Sequence, residues 1–261
     1  MTAEIISIGD ELLIGQVVNT NQAFIAEQLN GVGISVERMT TVGDNERSIL
    51  ASFRQALEQS DVVVVTGGLG PTHDDLTRAA VCKFFQTDLV EDRQALDNIK
   101  HIFAGRNLPI TKLNEEQALV PRGCRVIQNL HGTAPGYFFE RDGKYFIVMP
   151  GVPFEMKAMM ENFVVPFFRE RASGLVIRHR TLKTTGIPES FLAERIGNVG
   201  ELFVPDSGIT LAYLPSPMGV RLRITVKARS HSEVEQLINN TEQKLRAKAG
   251  KYIYAVDDEE L

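Results

Sequence analysis

The sequence predicts an α/β protein in which a mostly parallel sheet forms the middle of three layers, joined to a second, smaller α+β domain. Three observations carry this prediction. Strand-length apolar segments alternate with helix-length segments through the first half of the chain. Val62-Val-Val-Val65 is an unbroken β-branched run, expected of a strand covered on both faces, because a half-exposed strand would alternate apolar with polar. Beyond about Leu175 the pattern changes to a hairpin-like pair whose second member, Val220–Lys227, alternates strictly. At 261 residues the chain exceeds a typical single domain. A boundary near Arg171 to Leu175 divides it into residues 1–172 and 173–261.

Glu4–Ile8 is the first strand, and a helix from about Asn21 to Leu29 follows, stopped by Gly31 and Gly33. The strand Ser35–Thr41 leads to a helix at about Glu46–Gln59, where i, i+3, i+4 spacing puts Ile49, Leu50, Phe53, Ala56 and Leu57 on one face. After the valine strand, Thr72 and Asp75 have the spacing of a capping box opening a helix at Asp74–Phe85. A helical stretch near Arg93–Ala104 comes next, and Asn114–Leu119 leads into Pro121. Arg125–Ile127 and Tyr137–Glu140 are short strands, and the turn Arg141–Gly143 joins the latter to Lys144–Met149 as a hairpin. Pro150-Gly-Val-Pro153 then opens a helix at Phe154–Phe163, with Pro153 in the first turn, where its missing N–H costs nothing. In the small domain, Thr181–Thr185 and a helix at Glu189–Ile196 precede the pair Ile209–Tyr213 and Val220–Lys227. Leu222, Ile224 and Val226 face one way, and Arg221, Arg223 and Thr225 the other, giving that sheet one wet side. A helix at Ser232–Ala249 and a closing strand at Tyr252–Tyr254 complete the domain.

Composition removes several classes of function. Hydrophobic residues at 43% and charged residues at 23% are ordinary for a soluble globular protein, and a net charge of -5 argues against a surface that coats nucleic acid. Met1 leads within three residues into the first strand, leaving no room for a signal peptide, and no apolar stretch approaches membrane-spanning length. The expected location is the cytoplasm, with no membrane partner. Cys82 and Cys124 form no C-x-x-C pair and are expected to be reduced thiols. The histidines lack H-E-x-x-H spacing, Ser190 and Ser216 lack a G-x-S-x-G context, and the glycine loop lacks the Gly-Lys-Ser/Thr ending of a Walker A loop.

The chemistry concentrates at predicted strand ends, where ligands bind in open α/β sheets. Thr66-Gly-Gly-Leu-Gly-Pro-Thr-His-Asp-Asp75 follows the valine strand, and Gly67, Gly68 and Gly70 let backbone amides approach an anion without a Cβ in the way. Asp74 and Asp75 stand beside it. Either acid alone serves equally as a helix cap; the pair next to a phosphate-binding loop repels the ligand unless a divalent cation lies between them. His73 either touches a phosphate or is a solvated loop residue. Gly9-Asp10-Glu11 also begins at a strand end, and both acids can bind metal directly or through water. Asn19 and Asn21 offer amides suited to ribose or phosphate oxygens, while Thr20 or Asn21 is equally an ordinary helix cap. Asp44 again lies between strand and helix, where capping is its plain role. Gly132-Thr133-Ala134-Pro135-Gly136 is either a loop that closes over a ligand or a turn. Pro150-Gly151-Val152-Pro153 repeats the strand, glycine loop, helix arrangement, with Glu155 near the positive end of the helix dipole. Two helix amino ends at one sheet edge make a place for two phosphates, although the second piece alone also reads as a tight turn.

These pieces resemble the amino-terminal part of the CinA family, the competence/damage-inducible proteins, whose main domain has the molybdopterin-binding fold of molybdenum-cofactor biosynthesis enzymes. The resemblance rests on Gly9–Gly15, Asn19-Thr-Asn21, Thr66–Asp75 with Thr77, Gly132–Gly136 and Pro150–Glu155. Lys183-Thr-Thr-Gly-Ile-Pro-Glu189 extends it into the small domain, which in the family looks KH-like. It implies a metal-dependent ADP-ribose pyrophosphatase yielding AMP and ribose 5-phosphate, with a divalent cation (Mg²⁺, Mn²⁺ or Co²⁺) and water as nucleophile. Asp44 and Asp75 match the functional acid pair of the related molybdopterin enzymes, and Asp74 joins them as a catalytic candidate. The expected metal ligands are Asp10, Glu11 and Asp75. The expected substrate contacts are Gly9, Asn19, Asn21, Gly67, Gly68, Gly70, Thr72, Thr77, Gly132, Thr133, Pro150, Gly151 and Glu155. Two alternatives stay open: an enzyme handling a molybdopterin-like compound, and a nucleotide-binding module without turnover. The resemblance also implies a homodimer and, because the chain stops at Leu261, absence of the carboxyl-terminal nicotinamide-mononucleotide amidohydrolase of many members. The small domain shows no Gly-x-x-Gly loop flanked by basic residues, so no nucleic-acid partner is expected.

Overall fold

A computed structural model describes residues 1–171, 176–203, 207–257 and 259. The expected domain boundary near Arg171 to Leu175 lies outside these residues from position 172 onward. The chain divides into two compact units, residues 1–29 with 34–171, and residues 30–33 with 172–261.

The first unit runs β1 (Thr2–Ile8), α1 (Asp10–Leu13), α2 (Thr20–Gly31), β2 (Ser35–Val42), α3 (Glu46–Gln59), β3 (Val62–Thr66), α4 (Thr77–Phe85), β4 (Leu89–Glu91), α5 (Arg93–Gly105), α6 (Lys112–Glu115), β5 (Leu119–Pro121), β6 (Arg125–Ile127), β7 (Gly136–Arg141), β8 (Lys144–Met149), α7 (Pro153–Met159) and α8 (Val165–Arg171). Among the described residues its main sheet has six strands in the order β2-β1-β3-β8-β7-β6. The four strands from β2 to β8 are parallel, and β7 and β6 continue antiparallel. All four residues Val62–Val65 are fully buried, as an unbroken β-branched run requires. Ile6, Ile8, Val63 and Val65 join Ile49 and Phe53 of α3 in one core cluster. Ile5, Val62 and Val64 point the opposite way by strand alternation and are equally buried, so both faces of the sheet are covered.

This topology positions the site. The chain leaves β1 for β2 on one side and returns to place β3 on the other, so the strand order reverses at β1. A crevice opens outside the carboxyl ends of strands at such a switch point. The predicted capping box at Thr72 is not formed. Asp75 accepts both the amide and the hydroxyl of Thr72, which closes a turn instead, and α4 begins only at Thr77, whose amide donates to the carbonyl of Gly68 at 3.1 Å.

The second unit carries β9 (Val176–Thr184), α9 (Glu189–Ile196), α10 (Val199–Leu202), β10 (Ile209–Ser216), β11 (Gly219–Ala228), α11 (His231–Ala249) and β12 (Ile253–Val256). Its sheet has the order β10-β11-β9-β12 and is antiparallel throughout. Leu222, Ile224 and Val226 are fully buried and cluster with Val234, Ile238 and Leu245 of α11, while Arg221 and Arg223 are exposed, as the alternation predicts. Gly197 and Asn198 join α9 to α10. No helix among the described residues is long and apolar enough to cross a membrane.

Phe53 is fully buried and meets the rings of Phe146 at 5.0 Å and Phe84 at 5.7 Å, both edge-on. Truncation removes the apolar burial and leaves a cavity between α3 and the sheet. Phe53→Ala is expected to cost about 3–5 kcal/mol, read as a lower urea midpoint at unchanged slope; a shift worth under about 1 kcal/mol would contradict this packing.

Candidate functional site

The loops after β1, β3 and β8 are joined by their backbones. Gly67 (φ +110°) donates its amide to the carbonyl of Met149 at 3.1 Å, and a Cβ there would lie 2.1 Å from the carbonyl oxygen of Ile8. Only glycine lets the loop after β3 cross the end of β1 this closely. Gly68 (φ +64°) is held against Thr77, whose side chain an added Cβ would meet at 2.3 Å. The Thr66 hydroxyl donates to the carbonyl of Pro150 at 2.9 Å, and the Asn21 amide to the carbonyl of Gly151 at 2.7 Å. These ties bring Gly9, Gly67, Gly68, Gly70, Pro150 and Gly151 onto the wall of one cleft of about 380 Å³.

Carboxylates dominate that cleft. Glu11, Asp44, Asp74, Asp75 and Glu155 line it, and none of the lining residues is a lysine or arginine. Asp10 and Asp44 are interlocked across the loops after β1 and β2: the Asp10 amide donates to Asp44 Oδ2 at 3.0 Å, and the Asp44 amide to Asp10 Oδ1 at 3.1 Å. Asp44 is therefore not the cap of α3; Asn45 takes that role, accepting the amide of Ser48 at 3.2 Å. Burial, followed by the charges of Asp10, Glu11 and Asp74, raises the Asp44 carboxyl above the usual carboxylate range, and the amide of Asp10 only partly offsets this. Among the described residues no three acids, histidines or cysteines converge to hold an ion. The expected ligand set is thus split: Glu11 and Asp75 line the cleft, with Asp75 also bonded to Thr72, while Asp10 does not line it and accepts the Asp44 amide.

Asn129, which does not itself line the cleft, is a hub that the motif reading misses. It is buried, donates to Glu155 Oε2 at 2.6 Å and to the carbonyl of Ala134 at 2.9 Å, and accepts the amides of His131 and Gly132 through Oδ1. Asn98 braces the same loop by donating to the carbonyls of Asn129 and Gly132. An asparagine three residues before a glycine is a turn signal that could have marked Asn129. Gln117, nearly buried at the back of the cleft, carries no such signal.

Several expected contacts need correction. Thr77 is fully buried and donates its hydroxyl to the carbonyl of Gly67 at 2.9 Å, so it fixes the glycine loop and cannot touch a ligand. Gly132 does not line the cleft; Glu155 packs where its side chain would be, and Thr133 faces the cleft instead. Thr72 likewise holds Asp75 rather than the cleft surface. The cap of α2 is Asn19, which accepts the amide of Gln22 at 3.2 Å, rather than Thr20 or Asn21. Asn19 and Asn21 line a smaller adjoining compartment, and the side chain of His73 is fully exposed.

The fold and site define a molybdopterin-binding-type α/β domain, with an antiparallel-sheet domain after it. Residues 4–170 match the family described as "Probable molybdopterin binding domain", and residues 179–255 the "Damage-inducible protein CinA KH domain". The chain belongs to the CinA family. It is 42% identical over 261 residues to a putative competence-damage inducible protein of Caldicellulosiruptor saccharolyticus, covering 100% of this chain and 62% of that protein. A CinA-like protein of Chloroherpeton thalassium is 45% identical over 99% of this chain and 62% of its own length. The chain thus spans about 62% of the length of these curated relatives. A crystal structure of the protein CinA with unknown function from Thermoplasma acidophilum superposes with a TM-score of 0.57 at 41% identity, covering 62% of this chain and 95% of that one.

The raised Asp44 carboxyl gives a signed prediction. A carboxyl raised by folding contributes stability that is fully present below its unfolded pKa, about 3.9, and lost as pH rises through the folded value. At pH 7 the charged Asp44 therefore strains the metal-free fold. Asp44→Asn, which keeps an oxygen to accept the Asp10 amide, is expected to melt higher than the parent at pH 7 in chelator, with the gap closing toward pH 4. A lower melting temperature for the variant at pH 7 would show that folding does not disfavour the charged Asp44.

Proposed function

We propose that this chain is a metal-dependent pyrophosphatase that hydrolyses ADP-ribose to AMP and ribose 5-phosphate. One observation carries the reading: the glycine loops after three strands and five acidic residues line one cleft that has no lysine or arginine. Two like charges 4 Å apart repel by about 4 kcal/mol at an effective dielectric of 20. A handful of amide hydrogen bonds at about 1–3 kcal/mol each does not overcome several such pairs on a diphosphate. A divalent cation reverses the balance. The donor set fits a hard cation, being all oxygen, with Asp44 raised by burial and then by its neighbours' charge. Mg²⁺ is typically held by one or two carboxylates together with substrate phosphates and water, so a cluster of three acids is not required.

When bound, the cation neutralises charge on the diphosphate; Glu11, Asp10 and Asp75 are the residues to hold it. The amides of Gly68–Gly70 and Gly151 bind the phosphoryl oxygens at two loop ends. Asp44, Asp74 and Asp75 orient a water and accept its proton. The water oxygen bonds to one phosphorus, the anhydride P–O bond breaks, and the bridging oxygen leaves with the other phosphate. Asn129 keeps Glu155 turned into the cleft.

Asp75→Asn is expected to lower kcat for ADP-ribose about 10²- to 10⁴-fold with a smaller change in KM, and chelator is expected to abolish turnover until Mg²⁺, Mn²⁺ or Co²⁺ is restored. Chromatography of products checks both. Bound but intact ADP-ribose with every metal would mark a binding module, and calorimetric binding of a pterin in preference to ADP-ribose would mark an enzyme of molybdopterin-like compounds.

A further inference from the structure

The compartment beside the main cleft holds an unusual set of unused polar atoms. It measures about 110 Å³ and shares Ile8, Glu11, Gly67 and Gly151 with the cleft as common walls. Ser7 is only 1% exposed, and it pairs in register with Thr66 on β3 and Thr41 on β2, so these side chains share one face of the sheet. Ser7 Oγ, Asn19 Nδ2 and Asn21 Oδ1 are all shut off from solvent and have no hydrogen-bond partner. All three residues line this one compartment. A buried polar group left unpaired is costly, so three in one place point to something that pairs them.

Their chemistry selects the partner. Asn19 Nδ2 can only donate, Asn21 Oδ1 can only accept, and Ser7 Oγ does both. An ionised phosphate has nothing to donate to Asn21, and a cation has nothing to accept from Asn19. Each hydroxyl of a vicinal diol donates and accepts. The compartment exceeds the roughly 10–15 Å³ that one water needs on this measure, yet is too confined for a purine beside a sugar. We infer that Ser7, Asn19 and Asn21 form a sugar subsite that takes the vicinal diol of the non-adenosine ribose when the diphosphate lies along the glycine loops. This rests on the ADP-ribose reading above and assigns which end of the molecule lies where.

Calorimetry with ADP-ribose and with ADP, which lacks the second sugar, tests the assignment on the whole chain in Mg²⁺. Ser7→Ala removes the unpaired hydroxyl, so its melting temperature without ligand is expected to match or exceed that of the parent. The same variant is expected to raise the Kd for ADP-ribose roughly 3- to 10-fold, the worth of one hydrogen bond, and to leave the Kd for ADP unchanged. A drop of several degrees in melting temperature, no change with ADP-ribose, or equal weakening of ADP each overturns the subsite. Selective weakening without any cleavage keeps the subsite and removes the pyrophosphatase. Failure of both compounds to bind removes both.

Discussion

The site depends on backbone passing over backbone. Gly67 lies against the carbonyl of Ile8, and Gly151 lies against Gly67, whose Cα an added Cβ on Gly151 would approach to 3.2 Å. No side chain fits between these layers, so the loops after β1, β3 and β8 form a single surface at the point where the strand order reverses. Everything chemical hangs on that surface: glycines lining one space, acids around it, and Asn21 and Thr66 tying the third loop to the first two. Glycine here is a requirement of close approach rather than of flexibility.

Beneath the surface the core supplies rigidity, and above it the charges oppose stability. The four valines of β3 and the ring cluster around Phe146 are closed to water. Directly beyond them, burial and then the charges of neighbouring acids raise Asp44. A fold optimised only for stability would carry amides or basic residues at these rim positions. Holding like charges together on a rigid base is the usual mark of a site whose groups act on something not present in the free chain.

Features governed by short-range periodicity were legible in the sequence. The buried valine run and the alternation of Leu222, Ile224 and Val226 were found where they were expected, because each reports the local environment of a single strand. Three-residue strands such as β4 are too short to show a period, and the four-residue α1 was hidden inside the Gly9–Gly15 motif. The capping box at Thr72 failed for a different reason. Its spacing is right, but the bonding runs from Thr72 to Asp75 instead of capping a helix, and sequence spacing does not record direction. Asn129 meets Glu155 across 26 positions, and Ser7 lies beside Thr66 across a strand pairing, so neither partnership exists until the sheet is assembled.

The distribution of charge also bears on binding against turnover. A module that only holds a diphosphate is most simply built with arginine, whose planar fork matches phosphate oxygens and whose charge is fixed. This cleft has none, and its anion affinity would depend entirely on a cation that can leave. Carboxylates contribute what arginine cannot: they accept protons and orient water. On the proposed reading, amides would serve the phosphates and acids the water, a division of the cleft that favours cutting the ligand over keeping it.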